Sequence, residues 1–166
     1  MIRAPAATAT RAAVAFGSNV GDRARHIELA LARLRATDGV VVRGCSSVRE
    51  TAPVGGPPQG PFLNGVALIE TTLAARELLA SLLAIERAGG RVRSGRDGPR
   101  TIDLDLVFFG EQTLDDAELT LPHPRAHQRA FVLEPLAEVA PDWVHPRLRR
   151  SAREMWDAWR AGRCAP

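Results

Sequence analysis

The hydrophobic and polar positions along the chain predict short strands interleaved with amphipathic helices. Runs rich in β-branched, aliphatic and aromatic residues predict strands at residues 12–16, 40–50, 62–71 and 102–109. Residues 22–36 and 74–88 instead carry apolar side chains at the i, i+4, i+7 spacing of one helix face. The proline and glycine density of residues 51–61 excludes regular structure and predicts a loop.

Each of the two helices has one apolar stripe that should face a core. The stripes consist of Ile27, Leu31 and Leu34 in the first helix and of Leu78, Leu82 and Ile85 in the second. Beyond them the pattern predicts an edge strand at residues 118–121 and a loop with a short helix in residues 122–141. A closing helix at residues 151–160 should carry Trp156 and Trp159.

The order of these elements indicates the fold class. The order βαββαβ, followed by extra C-terminal pieces, predicts an α+β fold with a ferredoxin-like core. We expect an antiparallel sheet flanked by helices on both sides. Residues 1–11 are expected to be a flexible N-terminal tail, and residues 12–166 a single domain.

Two carboxylates interrupt the apolar strand at residues 102–109. Side chains two residues apart on a strand face the same way, so Asp103 and Asp105 should share a face with Val107 and Phe109, whereas Phe108 should face the opposite side. Two ionised carboxylates about 6–7 Å apart repel each other by about 2–3 kcal/mol at an effective dielectric constant near 20. Either this is a half-solvated edge strand, or a divalent cation binds between them.

The segment just before this strand favours the cation. Four arginines are interleaved there with glycines, namely Arg91, Arg93, Arg96 and Arg100. Guanidinium groups bind phosphate oxygens in a bidentate fashion, and glycines permit close backbone approach to a ligand. A basic loop leading into paired carboxylates therefore predicts a site for a metal–polyphosphate complex.

Composition narrows the class of protein further. The chain has 166 residues, 45% of them hydrophobic, and a net charge of only +3, so no large nucleic-acid footprint is required. Every one of the 22 basic residues is arginine, which excludes mechanisms that need a P-loop lysine or a kinase strand lysine. With two cysteines and no apolar run of membrane length, we expect a cytoplasmic protein.

Several separated motifs resemble one enzyme family. They are FGSNVGDR, TAPVG, FLNGV, GRVR followed by GPRTIDLDLVFFG, and LPHPRAHQRAFVLEPLAEVAP, and the resemblance runs over residues 14–141. Together they resemble the 6-hydroxymethyl-7,8-dihydropterin pyrophosphokinases of folate biosynthesis. That resemblance implies transfer of pyrophosphate from MgATP to the pterin's hydroxymethyl group, with release of AMP.

The resemblance also implies roles for individual residues. By match, Asp103 and Asp105 would hold two Mg²⁺ ions, and Asp103 would help to activate the substrate hydroxyl through its metal. Arg91 and Arg100 would stabilise the transferring group. The remaining matches on the nucleotide side are Glu86, Arg93, Arg96, His123 and Arg129, and those on the pterin side are Thr51, Pro53, Val54, Phe62, Asn64 and Phe131.

The arginine-rich loop departs from the family pattern. Between GRVR and GPR this chain has four residues, SGRD, whereas typical members have one more. Typical members also have a tryptophan immediately before the Gly-Pro, and Asp97 occupies that position here. The alternatives are a divergent paralogue acting on a related pterin, a catalytically impaired pterin- or ATP-binding protein, and a basic nucleic-acid-binding module. We expect a monomer that binds a pterin and ATP, and neither nucleic acid nor a membrane.

Overall fold

The computed structural model describes residues 8–91 and 98–162. Its strands are β1 (Thr10–Ser18), β2 (Val40–Cys45), β3 (Arg49–Thr51), β4 (Phe62–Thr71), β5 (Asp103–Phe109), β6 (Leu114–Asp115) and β7 (Thr120–Leu121). Its α-helices are α1 (Arg23–Arg35), α2 (Ala75–Ala88), α3 (Ala130–Val139) and α4 (Ala152–Arg160), and a 3₁₀ turn spans Ala126–Gln128. No helix in these two ranges is long and apolar enough to cross a membrane.

The main sheet has the strand order expected of a ferredoxin-like core. The order is β2-β4-β1-β5, β3 also pairs with β4, and all of these pairs are antiparallel. Strand β5 therefore lies at one edge and brings its carboxylates next to the C-terminal end of β1. The α+β fold with a ferredoxin-like core is confirmed.

Helices cover both faces of this sheet. On one face, α1 and α2 bury the predicted stripes, with Leu34, Leu78 and Leu82 fully inaccessible. On the other face, α3 and α4 pack Leu133, Leu136 and other apolar side chains against β1, β4 and β5. Both layers are apolar, so burial from two sides fixes the strands and the positions of the polar groups at their ends.

The predicted strand at residues 40–50 is two strands. It breaks at Ser46, whose backbone N–H donates to the Val66 carbonyl and whose hydroxyl accepts from the Val66 N–H. The side chain therefore replaces one rung of backbone pairing, and the chain resumes as β3. The predicted edge strand at residues 118–121 is shorter and pairs only with β6 in a separate two-stranded sheet.

A β-bulge in β5 overturns the predicted faces of its last two residues. The pairing with β1 skips Val107, because Ala13 pairs with Phe108 and Val14 with Leu106. Phe109 consequently packs in the layer beneath α1 and α2, whereas Phe108 stacks on Trp143 in the opposite layer. The alternation holds for Asp103 and Asp105, which precede the bulge.

Candidate active site

The ends of β1, β4 and β5 meet at a cavity of about 100 Å³. Its lining comprises Gly17, Thr51, Ala52, Val54, Gln59, Phe62, Asn64, Gly98, Arg100, Asp103, Asp105, Arg125, Arg129 and Phe131. The β1–β4 register places Gly17 opposite Asn64, and a Cβ atom at residue 17 would lie 2.5 Å from the Asn64 side-chain oxygen. A glycine is therefore required if Asn64 is to point into this cavity.

Charged groups converge on the Asp103 carboxylate. Arg100 Nη1 donates to Asp103 Oδ2 at 2.5 Å, and Arg91 Nη1 lies 2.7 Å from Asp103 Oδ1 without hydrogen-bond geometry. Arg91 also donates to the buried Glu86 carboxylate, which accepts the Leu104 N–H at 2.7 Å. Glu86 thus connects the end of α2 to β5 and holds Arg91 beside Asp103.

The Asp105 carboxylate is in an unfavourable place for a negative charge. Burial, and secondly the charge of Asp103, raise its pKa to about 7, although the positive charges of Arg129 and Arg100 oppose the rise. Burial likewise raises the pKa of Glu86 against the lowering effects of the Leu104 N–H and Arg91. A further cation beside these carboxylates would stabilise their charged forms.

These residues fit a divalent cation with oxygen ligands. Asp103 Oδ1 is buried and accepts no hydrogen bond, although Arg91 Nη1 lies 2.7 Å from it, and Asp105 on the same strand face adds a second carboxylate. Within the described residues no cluster of three or more acidic, histidine or cysteine side chains forms a complete metal cage. That combination suits Mg²⁺, which is usually held by one or two carboxylates together with substrate phosphates.

A second cavity, of about 320 Å³, also has Asp105 in its lining. It is lined by Leu79, Leu83, Glu86, Arg91, Leu104, Asp105, Leu106, Glu118, Leu119, Thr120, His123 and Pro124. Burial, followed by the positive charges of Arg129 and Arg125, lowers the pKa of His123 to about 4, so its imidazole is neutral at pH 7. Asp105 lines both cavities.

The first cavity pairs a polar edge with aromatic walls. Asn64 is 9% exposed, and its Nδ2 donates to Thr51 Oγ1 at 2.6 Å, which leaves its side-chain oxygen facing Gly17. Phe62 and Phe131 line the same cavity, and the Arg129 guanidinium lies 5.4 Å from the Phe131 ring centre. This arrangement suits a flat heteroaromatic ring that needs stacking and in-plane hydrogen bonds.

Most of the predicted site residues lie around these two cavities. Pro53 is the exception among the described residues, since its neighbours Ala52 and Val54 line the first cavity but Pro53 does not. The predicted residues Arg93 and Arg96 and the substituted position Asp97 lie outside the described residues. Their roles stay predictions.

Sequence reasoning missed several residues of the first cavity. Gln59 comes from the proline- and glycine-rich loop, and Arg125 from the segment before the 3₁₀ turn. Gly17 could have been found, because it lies near the end of β1 in the motif FGSNVGDR, but Gln59 has no local pattern that singles it out. Only the folded loop brings it to the cavity.

Comparison with known proteins agrees with this geometry. Residues 13–141 match the family model described as 7,8-dihydro-6-hydroxymethylpterin-pyrophosphokinase. The 2-amino-4-hydroxy-6-hydroxymethyldihydropteridine pyrophosphokinase of Synechocystis sp. is 46% identical over 136 residues, which are 82% of this chain and 69% of that protein. The enzyme of the same name from Methylorubrum extorquens is 45% identical over 81% of this chain and 85% of its own length.

Longer proteins contain a similar region. The folic acid synthesis protein fol1 of Schizosaccharomyces pombe is 39% identical over 144 residues. These residues are 87% of this chain but only 20% of fol1. A Plasmodium falciparum HPPK-DHPS crystal structure with pterin and p-hydroxybenzoate superimposes with a TM-score of 0.76 at 15% identity, and its fold covers 96% of this chain and 44% of that one. The chain belongs to the 7,8-dihydro-6-hydroxymethylpterin-pyrophosphokinase family of folate biosynthesis.

Proposed function

We propose that the two cavities bind the two substrates of a pyrophosphoryl transfer and that Asp105 marks the point of reaction between them. As a member of its family, the chain transfers a pyrophosphoryl group to 6-hydroxymethyl-7,8-dihydropterin, with ATP as donor. The pterin occupies the cavity lined by Asn64 and Phe131, and the nucleotide occupies the cavity lined by Glu86 and His123. The observation that carries this assignment is that Asp105 lines both cavities.

In this proposal Asp103 and Asp105 hold two Mg²⁺ ions together with the phosphates of ATP. The buried Asp103 Oδ1 and the mutual repulsion of the two carboxylates are the features that favour a cation here. When bound, Mg²⁺ supplies positive charge that neutralises the phosphates and fixes the donor for in-line displacement.

The arginines bind the transferring group. Arg91 and Arg100 both pair with Asp103, and their guanidinium groups are within reach of phosphates bound beside it. As charge develops on the transferring phosphoryl oxygens, these fixed cations stabilise it more than they stabilise the ground state. Glu86 keeps Arg91 in position through its own ion pair.

The pterin side aligns the nucleophile. Asn64 reads the edge of the amino-pyrimidinone, Phe62 and Phe131 flank the ring, and Thr51 orients the Asn64 amide. The hydroxymethyl oxygen then faces the β-phosphorus of ATP. A bond forms between the hydroxymethyl oxygen and the β-phosphorus, and the bond from the β-phosphorus to the oxygen that bridges it to the α-phosphorus breaks. AMP departs with this bridging oxygen, and the hydroxyl proton passes to solvent.

Product analysis tests the assignment directly. The purified protein is incubated with MgATP and 6-hydroxymethyl-7,8-dihydropterin, and nucleotides and pterins are separated by chromatography. We expect AMP and the pterin diphosphate in equal amounts, and neither product when the pterin or Mg²⁺ is omitted. ADP as the main nucleotide product would contradict pyrophosphoryl transfer, and turnover only with a different pterin would favour a paralogue of altered specificity.

We also propose that the chain acts as a monomer. Every residue assigned above to pterin or nucleotide belongs to one chain. Light scattering at the concentration used for the assay measures the mass, and the expected value is 17.9 kDa. A dimer that loses activity on dilution would contradict this.

A further inference from the structure

The turn after β1 connects the two halves of the site. Asn19 lies in the motif FGSNVGDR, between the end of β1 and the start of α1, and lines neither cavity. Its backbone N–H donates to the Arg100 carbonyl at 3.0 Å, and its side-chain Oδ1 accepts the Arg100 N–H at 2.8 Å. These two bonds fix the backbone of Arg100, 81 residues away in sequence.

The same side chain holds the loop of the first cavity. Asn19 Nδ2 donates to Gln59 Oε1 at 2.9 Å and to the Gly60 carbonyl at 3.1 Å. Gln59 is itself part of the cavity lining. An amide has one acceptor and two donor hydrogens, so Asn19 uses its acceptor on the Arg100 side and its donors on the loop side.

A second residue of the motif bonds to the same loop but not to Arg100. Arg23 donates to the Pro61 carbonyl at 2.8 Å and to Glu50 Oε2 at 2.9 Å, and no described hydrogen bond joins it to Arg100. Asn19 and Arg23 thus share one target and differ in the other. This difference provides an internal comparison.

We infer that Asn19 is a positioning residue that couples the loop between β3 and β4, which contains Gln59 and Gly60, to the Arg100 backbone. The inference rests on the proposed function, since it assigns pterin to the first cavity and phosphate to Arg100. With Asn19 in place, the loop and Arg100 are ordered before substrate binds, so less conformational freedom is lost on binding and in the transition state. Asn19 touches neither substrate.

Steady-state kinetics on Asn19→Ala and Arg23→Ala test the coupling. We expect Asn19→Ala to raise the KM for the pterin about tenfold and to lower kcat about tenfold, because both targets are released. Arg23→Ala should raise the KM for the pterin severalfold and leave kcat within about twofold, because it releases the loop and Glu50 but leaves the bonds to the Arg100 backbone in place. Equal effects of the two substitutions on kcat would overturn the inference.

A double-mutant cycle separates positioning from general destabilisation. If Asn19 acts on kcat through Arg100, then Asn19→Ala should change kcat less than about twofold in an Arg100→Ala background. The same factor in both backgrounds would show independent action and overturn the inference. A wild-type protein without turnover would overturn the proposed function as well, whereas an active wild type with an unaffected Asn19→Ala variant would overturn this inference alone.

Thr71→Val is the matched control for lost side-chain hydrogen bonds. Thr71 is 1% exposed at the opposite end of β4, where its hydroxyl donates to the Gly39 carbonyl at 2.8 Å and accepts the Leu73 N–H at 3.0 Å. We expect this variant to lower the melting temperature and to leave both kinetic constants within about twofold. A kinetic change as large as that of Asn19→Ala would mean that stability alone governs turnover, and would overturn the inference.

Discussion

Arg100 Nη1 and Asp103 Oδ2 lie 2.5 Å apart and form an ion pair. The arginine proposed to bind phosphate and the carboxylate proposed to bind metal thus contact each other when no substrate is bound. The pair is only partly accessible, with 24% of the Arg100 side chain and 17% of the Asp103 side chain exposed. Asp103 thus compensates the charge of Arg100, and Arg100 shares the compensation of Asp103 with Arg91.

The first prediction concerns Arg100. Because its guanidinium is proposed to stabilise charge that develops during transfer, Arg100→Ala should lower kcat about 100-fold or more and raise the KM for the pterin less than about fivefold. Steady-state assays of AMP release with each substrate varied provide both constants. A variant with normal kcat and a raised KM for ATP would assign Arg100 to ground-state binding instead.

The second prediction separates stability from activity at Asp105. Its pKa is raised to about 7 in the folded protein, so at pH 8 the folded state carries a charge that burial and Asp103 disfavour. Asp105→Asn should therefore stabilise the metal-free protein by roughly 1–3 kcal/mol at pH 8, and the gain should fade towards pH 4, where the wild-type carboxyl is protonated in the folded state. Urea unfolding in EDTA measures this.

Activity should move in the opposite direction for the same variant. Replacing a carboxylate by an amide weakens binding of a hard cation, so we expect Asp105→Asn to lower kcat by at least 100-fold at saturating Mg²⁺. Asp115→Asn is the control, since Asp115 is an exposed aspartate on β6 outside both cavities. An Asp105→Asn variant with activity within tenfold of wild type would contradict metal binding by this carboxylate.

The third prediction concerns the aromatic wall. Phe131→Leu keeps an apolar side chain of similar size but removes the ring that is proposed to stack on the pterin. We expect the KM for the pterin to rise about tenfold while the KM for ATP changes less than about twofold. A parallel rise in both constants would point to disruption of α3, which begins one residue earlier, rather than to lost stacking.

The sequence predicted those parts of the site that depend on local periodicity. Asp103 and Asp105 were assigned to one face from the two-residue repeat of a strand, and the structure agrees because both precede the bulge in β5. The predicted faces of Phe108 and Phe109 were wrong because they lie after the bulge, whose position depends on how β5 pairs with β1. That pairing cannot be predicted from the sequence of β5 alone.

Contacts between distant segments were likewise beyond the sequence. The motif that contains Asn19 was recognisable, but its bonds to Arg100 and Gly60 join segments that are 81 and 41 residues away. The break at Ser46 has the same cause, since it depends on where β4 offers the Val66 N–H. Pairing across the fold, rather than propensity, decided these features.

The last prediction concerns stability at mildly acidic pH and a histidine far from the reaction. His145 is 4% exposed, its Nδ1 accepts the N–H groups of Arg147 and Leu148 at 3.2 and 3.1 Å, and its ring packs edge-on against Phe108. Burial, followed by the positive charges of His127 and Arg147, lowers its pKa to about 4. Protonation of Nδ1 would also abolish both acceptor bonds.

The sign of the pH effect follows from this depressed pKa. Between pH 6.5 and 4 the unfolded chain binds a proton at residue 145 that the folded chain does not, so stability falls as the pH is lowered through this range. For this residue the loss from pH 7.5 to pH 5 should be about 2 kcal/mol. His145→Asn keeps a side-chain acceptor for the two N–H groups but cannot titrate, so its unfolding free energy should fall less over that interval by about the same amount. Urea unfolding of both proteins at the two pH values measures the difference, and equal losses would show that His145 contributes nothing to acid sensitivity.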